Sequence, residues 1–352
     1  GGQVALLPLG FESIPIFNVE NGCATASTAF HLAINHLKAG EADVALAVGA
    51  EKMSHPDKAR TFAFFDGGWD VETPDENVSR ILALGKDITP PRDACSEQPY
   101  SRFMDVYASY ARWHMARHDV TPRQLAVIAS KNHGHSVGNP RAQYREALSV
   151  EQILAARAIS FPLTLPMCAP ISDGAAAAIL CTESALRRLG LDRTRCVKVL
   201  ASVMQSASAR AYEQADRHVC RKAAQRAYDA AGLGPEDMDV AEVHDASAMG
   251  ELIQTENLGF CPIGDGGRLA ESGATRLGGR IPVNPSGGLE AKGHPIGATG
   301  LGQIFELVSQ LRGECGQRQV ENPCFAIQEN GGGLWGIEEA SAHVGILARS
   351  GA

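Results

Sequence analysis

The spacing of apolar residues over the first fifty positions changes twice. Residues 14–19 (IPIFNV) form one mostly apolar run, and from Phe30 to Leu37 the apolar residues recur at helical intervals. Gly40 ends the predicted helix. Residues 43–49 (DVALAVG) follow as a short, almost wholly apolar segment, which is typical of a parallel strand buried on both faces. The pattern predicts a strand, a helix and a second strand, in this order.

A different pattern occupies the middle of the chain. From about residue 50 to 170 the segments are charged and contain proline and histidine, with helical spacing at 106–117 and 121–131. We interpret this part as an inserted subdomain. Residues 172–180 (SDGAAAAIL) return to the composition of a buried strand. The predicted N-terminal half consists of residues 1–49 and 170–192. The inserted loop domain covers 50–169, and the C-terminal half covers 193–352.

The second half repeats the plan of the first. One helix is predicted at 216–231, before Gly232, and another begins at Pro295 and ends at Gly313. Strands are predicted at 196–204, 239–243 and 324–328. Such duplication favours two similar α/β halves, with functional residues at strand ends and helix starts, where ligands bind in open parallel sheets.

Composition and charge exclude several classes of protein. Of the 352 residues, 44% are hydrophobic and 20% are charged, which is ordinary for a globular chain. The net charge is −8 without a long run of Lys or Arg, so neither nucleic acid nor a membrane surface is indicated as a partner. No stretch has the length and apolarity of a membrane span, or the pattern of a signal peptide. We therefore expect a cytoplasmic protein.

The cysteines and most of the histidines give no sign of a metal site. The 9 cysteines are scattered without a C-x-x-C pair, so neither a zinc site nor a disulfide framework is expected. Four histidines without partners at metal spacing are predicted to be structural or surface residues, namely His31, His36, His133 and His135. The first residue is Gly rather than Met, and we expect upstream sequence to be missing.

Cys23 lies where the first predicted strand gives way to the helix, in the run 21–27 (NGCATAS). The small residues on either side permit a tight turn and the close approach of a substrate. A thiol at a helix N-terminus faces the positive end of the helix dipole, which lowers its pKa and favours the thiolate. Activation by a nearby histidine would complete a nucleophile. A buried core cysteine is the alternative interpretation.

Two histidines are placed like catalytic groups. His294, in the run 293–300 (GHPIGATG), precedes a helix with little bulk in its first turn, and the flanking glycines favour the approach of a ligand. His244 stands next to Asp245 at the end of a predicted strand, so its imidazole is expected at the carboxyl edge of the sheet. The alternatives are a satisfied structural histidine at 294 and a passive histidine beside a capping Asp at 244.

Residues 330–333 (NGGG) offer backbone amides that can bind an oxyanion.

In their order along the chain, these motifs resemble the thiolase superfamily. The likeness is closer still to the sterol-carrier-protein type of thiolase and to thiolase-like lipid-transfer proteins. Its strongest motifs are 21–27 (NGCATAS), His244-Asp245, 284–288 (NPSGG) and 293–300 (GHPIGATG). It extends over essentially the whole chain and includes 131–136 (KNHGHS), 172–177 (SDGAAA) and 311–314 (LRGE).

The resemblance implies a fold and an assembly. Thiolases consist of duplicated βαβαβαββ halves in a layered αβαβα arrangement, with an inserted loop domain that covers coenzyme A. They form homodimers or tetramers, and some relatives have a small partner subunit. They hold no permanently bound cofactor, because the coenzyme A thioester is the substrate. Members normally carry a further strand and helices before the equivalent of Gly1, so we expect the N-terminal half to lack its first elements.

The resemblance also implies a role for each matching residue. Cys23 would attack the thioester carbonyl and form an acyl-enzyme, while His294 takes the thiol proton. His294 and His244 would then hold the enolate oxygen of a second acyl-CoA. The backbone amides of Cys23 and Gly332 would form the other oxyanion hole. Candidate contacts for coenzyme A are Ser286, Gly287, Lys131 and Arg210, together with Arg141, and the cations allow the alternative of solvated surface charges.

One departure from the family pattern concerns proton transfer. Most thiolases have a cysteine acid/base where this chain has Asn330, and the sterol-carrier type supplies a cysteine where this chain has Ala246. Neither side chain can exchange a proton at neutral pH. Cys261 and His244 are the substitutes that the sequence suggests.

Three functions remain open from the sequence. The first is an acyl-CoA C-acyltransferase of fatty acid or steroid metabolism, which cleaves 3-oxoacyl-CoA or condenses acyl-CoA units through a Cys23 acyl-enzyme. The second is a retro-aldolase that acts on coenzyme A-linked, steroid-type side chains with a partner subunit. The third is a non-catalytic acyl-CoA-binding protein. Acylation of the peptide that contains Cys23 would distinguish the first from the others.

Overall fold

The N-terminal half is built on a short sheet and a helix that packs against it. The computed structural model describes residues 1–70 and 72–351. The helices and strands up to residue 188 are α1 (Gly2–Leu6), α2 (Thr25–Lys38), β1 (Val44–Glu51), α3 (Lys58–Ala63), α4 (Pro74–Leu82), α5 (Phe103–His118), α6 (Pro122–Ser136), α7 (Val150–Ala155), β2 (Ala158–Ser160), β3 (Leu163–Thr164), β4 (Gly174–Cys181) and α8 (Glu183–Arg188). Strands β1 and β4 pair antiparallel along their whole length, although the intervening insert separates them in sequence. This corrects the prediction of a parallel strand buried on both faces at 43–49, since Val44, Leu46 and Val48 are 45%, 39% and 42% exposed.

Helix α2 forms where the apolar spacing predicted it, and it positions the residues that precede it. Ala26, Phe30 and Ile34 recur every four residues and are buried in one cluster with residues of β1 and of the C-terminal sheet. Gly40 follows the last turn with a positive φ of 77°, a conformation that favours glycine. The N-terminus of α2 is thereby fixed against the centre of the molecule.

The run 14–19 is not a strand, which corrects the prediction. Ile14 and Phe17 are 55% and 71% exposed. The segment instead contacts α1, where the Gln3 side chain donates to the carbonyl oxygen of Ile16 at 3.1 Å and accepts from the Asn18 amide at 2.8 Å. An apolar run becomes a strand only beside a free sheet edge, and the sequence pattern does not report whether such an edge lies within reach.

The insert packs its helices around one apolar core. Val106 of α5 and Leu125 and Ile128 of α6 are buried together with Met249 and Leu252 from the C-terminal half. Helix α6 begins with a capping box, in which the side chains of residues 121 and 124 bond reciprocally to backbone amides. Helices α5 and α6 contain the two predicted helical segments. The division into two halves and an insert at the stated boundaries stays a prediction.

The C-terminal half contains a four-stranded mixed sheet among the described residues. Its elements are β5 (Val197–Ser206), α9 (Val219–Ala231), β6 (Val240–Glu242), α10 (Ala248–Asn257), α11 (Gly266–Glu271), α12 (Gly288–Lys292), α13 (Thr299–Leu311), β7 (Phe325–Gly332) and β8 (Ser341–Arg349). The strand order is β5-β8-β7-β6, with β6 parallel to β7 and the other neighbours antiparallel. The carboxyl ends of β6 and β7 therefore lie side by side.

Two details of this half differ from the sequence prediction. Pro295 does not open the helix, because a 3-10 turn at Ile296–Ala298 comes before α13. Strand β7 continues beyond 328 to Gly332 and pairs with β8. The apolar pattern had not predicted strand β8. Within 1–70 and 72–351, none of the helices is long and apolar enough to cross a membrane.

Candidate active site

Cys23 occupies a tight turn directly before α2. Gly22 has a φ of 55°, and a Cβ added there would lie 2.7 Å from the backbone nitrogen of Gly333. The turn is closed by the Ala24 amide, which donates to the carbonyl oxygen of Asn21 at 3.0 Å. The Cys23 turn therefore packs backbone to backbone on the glycines at the end of β7. Only glycine fits at position 22, where the two backbones approach each other.

The Gly332→Ala substitution tests this packing. The new Cβ would overlap the carbonyl oxygen of Asn21 and lie 2.5 Å from the amide nitrogen of Ala24, so the Cys23 turn must shift. Because a displacement of about 1 Å at a reacting group can cost 10²-fold, we expect turnover of an acyl-CoA substrate to fall by about that factor. In the control, Gly134→Ala adds a Cβ into open space within α6, so turnover should be unchanged and the melting temperature should stay the same or rise, because alanine favours a helix over glycine. Unchanged turnover of Gly332→Ala would contradict the close packing.

Cys23 and His294 form a hydrogen-bonded pair whose tautomer the neighbouring contacts determine. His294 Nε2 lies 3.2 Å from Cys23 Sγ, and its Nδ1 lies 2.7 Å from Thr299 Oγ1. The Thr299 hydroxyl donates its own proton to the carbonyl oxygen of Pro295 at 3.0 Å. Its oxygen must therefore accept from Nδ1–H, which leaves Nε2 without a proton and able to accept the thiol proton of Cys23. The histidine is oriented as a general base.

Burial keeps both members of this pair neutral. Burial raises the pKa of the Cys23 thiol to about 12, and the negative charge of Glu339 adds to this effect. Burial also lowers the pKa of His294 well below its ordinary range. The expectation that the helix dipole favours a resting thiolate is therefore wrong, because desolvation outweighs the dipole. A thiol in this pair could act as a nucleophile only if its proton moved to His294 during the attack rather than beforehand.

His244 follows β6 and brings a second imidazole to the same place. Its ring centroid lies 5.1 Å from that of His294, at an interplanar angle of 63°. Neither ring nitrogen has a hydrogen-bond partner among the described residues, although both are buried. Burial lowers the pKa of His244 to about 4, so the ring is neutral and carries one N–H. A buried polar group without a partner is costly, so the imidazole of His244 needs a partner from outside the chain, such as a water molecule or a ligand.

The three side chains meet closely enough to act on one small group. One ligand atom from each of Cys23, His244 and His294 lies within 4.8 Å of the other two. Such a set could also hold a metal ion, since thiolate and imidazole suit several transition metals. The resemblance thus selected three residues that are far apart in sequence and that the fold brings together.

These residues line a cavity of about 370 Å³. Most of its other lining is apolar and aromatic, including Phe62, Phe65, Phe103, Tyr107 and Leu334. A second cysteine, Cys168, also lines it and donates to the carbonyl oxygen of Thr164 at 3.4 Å. A mostly apolar pocket with a few convergent polar groups is typical of a site for a small ligand.

Two of the three cations predicted to contact coenzyme A, Lys131 and Arg210, are buried in internal ion pairs, which corrects the prediction for these two. The Lys131 side chain is 2% exposed and lies 2.6 Å from Glu251, and its ammonium also donates to the carbonyl oxygen of Val283 at 2.7 Å. The Arg210 side chain is 1% exposed and pairs with Glu338 at 2.5 Å. Both charges are satisfied inside the protein and are unavailable to a phosphate group.

Three further predicted residues are buried as well. Ser286 gives its backbone amide and its hydroxyl to the two carboxylate oxygens of Glu242, at 3.0 and 2.8 Å. Gly287, with a φ of 103°, packs against Ser136. Asn330 accepts from the hydroxyl of Ser27 at 2.7 Å and is fully buried. These positions support the polypeptide around the cavity, and their predicted roles in binding and catalysis stay predictions.

Sequence reasoning missed two residues that the geometry makes prominent. Thr299 fixes the tautomer of His294, and its place five residues further along the 293–300 motif was the available signal. Glu339 lines the cavity together with Cys23. Its only signal was a pair of acidic residues between the glycine run and the last strand. By contrast, burial raises the pKa of Cys261, the suggested substitute acid/base, to about 12.

Comparison with known proteins identifies the family. Residues 3–152 match the family described as "Thiolase, N-terminal domain", and residues 201–348 match "Thiolase C-terminal domain-like". The chain is 38% identical over 336 residues to sterol carrier protein 2 of Homo sapiens, a match that covers 94% of this chain and 58% of that protein. It is 37% identical over 345 residues to an acetyl-CoA acetyltransferase of Methanothermobacter thermautotrophicus, covering 95% of this chain and 81% of the relative.

A third relative and two solved structures agree with this. The benzoylsuccinyl-CoA thiolase subunit BbsB of Thauera aromatica is 34% identical over 326 residues, covering 91% of this chain and 77% of that protein. The solved structure of the "Ltp2-ChsH2(DUF35) aldolase" has a TM-score of 0.70 at 21% identity, covering 94% of this chain and 79% of the other. The dimeric peroxisomal thiolase of Saccharomyces cerevisiae has a TM-score of 0.65 at 17% identity, covering 99% and 80%.

These matches bear differently on the family and on the fold. The chain spans little more than half the length of the sterol carrier proteins that it matches, and most of the length of the acetyltransferase. The two structures, at their low identities, establish the fold. Both family matches, the relatives above 30% identity and the structural likeness agree with the motifs that carry Cys23, His244 and His294. The chain belongs to the thiolase family and has the thiolase fold.

Proposed function

We propose that the protein is a thiolase-type acyl-CoA C-acyltransferase, which cleaves a 3-oxoacyl-CoA or condenses two acyl-CoA units through an acyl-enzyme on Cys23. The observation that carries the proposal is the 3.2 Å contact between Cys23 Sγ and the unprotonated Nε2 of His294 at the wall of an apolar cavity. A thiol, a base oriented by a third group and a binding pocket are the requirements of covalent catalysis.

The first step follows from the neutral state of the pair. As Cys23 Sγ attacks the carbonyl carbon, its proton moves to His294 Nε2. The new positive charge on the ring is stabilised by Thr299, whose oxygen accepts from Nδ1–H at 2.7 Å. The tetrahedral oxyanion requires hydrogen-bond donors, and the backbone amides of Cys23 and Gly332 are the proposed ones. The close packing of the Cys23 turn on the glycines at the end of β7 supports this pairing of amides.

His244 is proposed to bind the oxygen of the thioester or of its enolate. Its N–H has no partner among the described residues, and its ring lies beside His294 in the cavity wall. A neutral imidazole can donate its N–H to a developing oxyanion without any change in its own protonation state. The coenzyme A thioester enters as a substrate in this scheme, and no permanently bound cofactor takes part.

Mass spectrometry of the protein after incubation with an acyl-CoA tests the proposal. We expect the mass to rise by one acyl group, with the modification on the peptide that contains Cys23. The Cys168→Ala protein is the matched control, because Cys168 lines the same cavity but hydrogen-bonds to a backbone carbonyl oxygen instead of an imidazole. It should be acylated as fast as the unsubstituted protein. An unmodified Cys23 peptide would contradict the acyltransferase.

A retro-aldolase is the second candidate, and one comparison favours it. The solved structure with a TM-score of 0.70 is named as an aldolase, and its name joins Ltp2 with ChsH2(DUF35). A lyase that acts on a coenzyme A-linked side chain would use the same cavity and the imidazole of His244, without acylation of Cys23. Cleavage of such a substrate by a protein whose Cys23 stays unmodified would support this candidate over the first.

Assembly with other subunits belongs to the same proposal. One relative is named as a subunit, one structural neighbour has a name that joins two proteins, and another is named as dimeric. We infer that this chain acts as a homodimer or a higher oligomer and that a small partner subunit completes the coenzyme A site. The satisfied charges of Lys131 and Arg210 support this inference, because they remove two of the cations that could have bound a phosphate within this chain.

A further inference from the structure

The reaction proposed above requires an acid/base besides His294, and the usual positions cannot supply it. Breaking the bond between C2 and C3 of a 3-oxoacyl-CoA leaves an enolate whose C2 must receive a proton. Asn330 is an amide that accepts from Ser27 in the core, and Ala246, in the cavity wall, has no titratable group. The group that exchanges this proton must be another side chain in contact with the cavity.

Glu339 is a carboxylic acid in the wall of that cavity. It lies between the glycine run and β8, and its side chain is 15% exposed. The absence of a side chain at Gly331 makes room for it, since a Cβ there would lie 2.6 Å from Glu339 Cγ. The carboxylate is also close enough to Cys23 for its charge to raise the pKa of the thiol. The same cavity therefore contacts both the nucleophile and this acid.

The adjacent glutamate shows how different the surroundings of Glu339 are. Glu338 is buried against Arg210 and also accepts from the backbone amides of Ser208 and Val219, at 3.0 and 3.1 Å. Glu339 accepts from the amide of Gln254 at 2.9 Å, and its other oxygen lies 3.5 Å from His218. It has no full ionic partner among the described residues, since burial lowers the pKa of His218 well below its ordinary range.

These surroundings suit an acid that both gives and takes a proton. Burial raises the pKa of Glu339 to about 7, and the charge of Glu338 adds to the rise. General acid/base groups are most effective when their pKa is near the working pH. The tyrosines of the cavity are weaker candidates, because burial raises the pKa of Tyr107 well above its usual value and the Tyr110 hydroxyl donates to the carbonyl oxygen of Ile337 at 2.9 Å.

We propose that Glu339 is the second acid/base of the reaction, an inference that rests on the proposed function. Cys23 Sγ attacks C3 of the 3-oxoacyl-CoA and its proton moves to His294. The bond between C2 and C3 breaks, and C2 takes the proton of the Glu339 carboxylic acid, which releases acetyl-CoA. The Glu339 carboxylate then takes the thiol proton of free coenzyme A, whose sulfur attacks the acyl group on Cys23. Cys23 leaves with the proton from His294, so that every group returns to its first state.

Exchange of the C2 hydrogens of acetyl-CoA in heavy water measures this proton transfer separately from acylation. In Glu339→Gln we expect exchange to fall at least 10²-fold, the lower range for loss of a general acid/base. Acylation of Cys23 by acetyl-CoA should slow by about tenfold at most, because the thiolate of coenzyme A leaves without much assistance. Glu20→Gln is the control, because it also removes a charge that raises the pKa of Cys23, while its amide oxygen can still accept from the backbone amide of Gly22.

The outcomes separate this inference from the proposed function. If the unsubstituted protein is not acylated at Cys23, the acyltransferase itself is refuted. If it is acylated and exchanges hydrogen, and Glu339→Gln exchanges within threefold of it, only the role of Glu339 is refuted. A fall in exchange that merely equals the fall in acylation, or that Glu20→Gln reproduces, also refutes that role. The melting temperatures of both variants verify that the fold is intact.

Discussion

Cys23→Ala and His294→Ala are each expected to lower turnover of an acyl-CoA substrate by a factor between about 10³ and 10⁶, and the double variant should lose no more than the worse single variant. The reason is that the thiol and the imidazole act as one unit. At a separation of 3.2 Å, the base has nothing to deprotonate without the thiol, and the thiol stays protonated without the base. Steady-state turnover numbers of the three variants provide the measurement.

The expected lack of additivity makes this experiment specific. Independent contributions would multiply, so a double variant far worse than either single one would mean that His294 acts on a step that does not involve Cys23. Thermal unfolding of each variant excludes loss of the fold. Cys168→Ala serves again as the control, since it removes a thiol from the same cavity and should change turnover by less than about threefold.

Lys131→Met is expected to lower the free energy of unfolding by about 3–5 kcal/mol, the usual cost of removing one partner of a buried ion pair. The substitution leaves the buried carboxylate of Glu251 without its ionic partner, and the carbonyl oxygen of Val283 loses its donor. The Michaelis constant for acyl-CoA should stay nearly unchanged in the protein that remains folded. Denaturant unfolding and initial rates at several substrate concentrations measure the two quantities.

The same pair of measurements tests the competing role of Lys131. If its ammonium bound a phosphate of coenzyme A, Lys131→Met would raise the Michaelis constant and leave stability intact. Two variants provide controls. Lys131→Met combined with Glu251→Gln should recover part of the lost stability, because no uncompensated charge remains. Arg141→Met removes an exposed cation that lies over the ring of Phe305, and its unfolding free energy should change by about 0.5 kcal/mol at most.

The thiolase fold and the meeting of Cys23, His244 and His294 could be predicted because their motifs leave signals in the sequence. The helix after Cys23 has apolar residues at regular intervals, and small residues surround the turn that precedes it. His294 stands in a glycine-rich motif for the same reason, since bulk is excluded where backbones and a ligand approach closely. The resemblance of their motifs to the thiolase superfamily selected these three residues, and the rule that functional residues lie at strand ends and helix starts favoured their meeting.

Predictions that depended on which side chains surround a residue in the folded protein were less successful. A lysine in the sequence is equally compatible with a phosphate ligand and with a buried ion pair, and the side chain of Lys131 has Glu251 beside it only after folding. The charge state of Cys23 depends on desolvation, which no short motif records. Glu339 escaped notice because its role depends on a cavity formed by segments that are distant in the chain.

The neutral state of the Cys23–His294 pair also affects chemistry that the enzyme does not perform. Oxidants and alkylating agents react with thiolates, and a thiol whose pKa is about 12 presents very little thiolate at neutral pH. In the proposed mechanism, the side chain becomes nucleophilic only while a thioester carbonyl is in place to receive its electrons. We therefore expect sulfenic acid formation and adventitious alkylation at Cys23 to be slow in the idle protein, even though its sulfur lines the cavity.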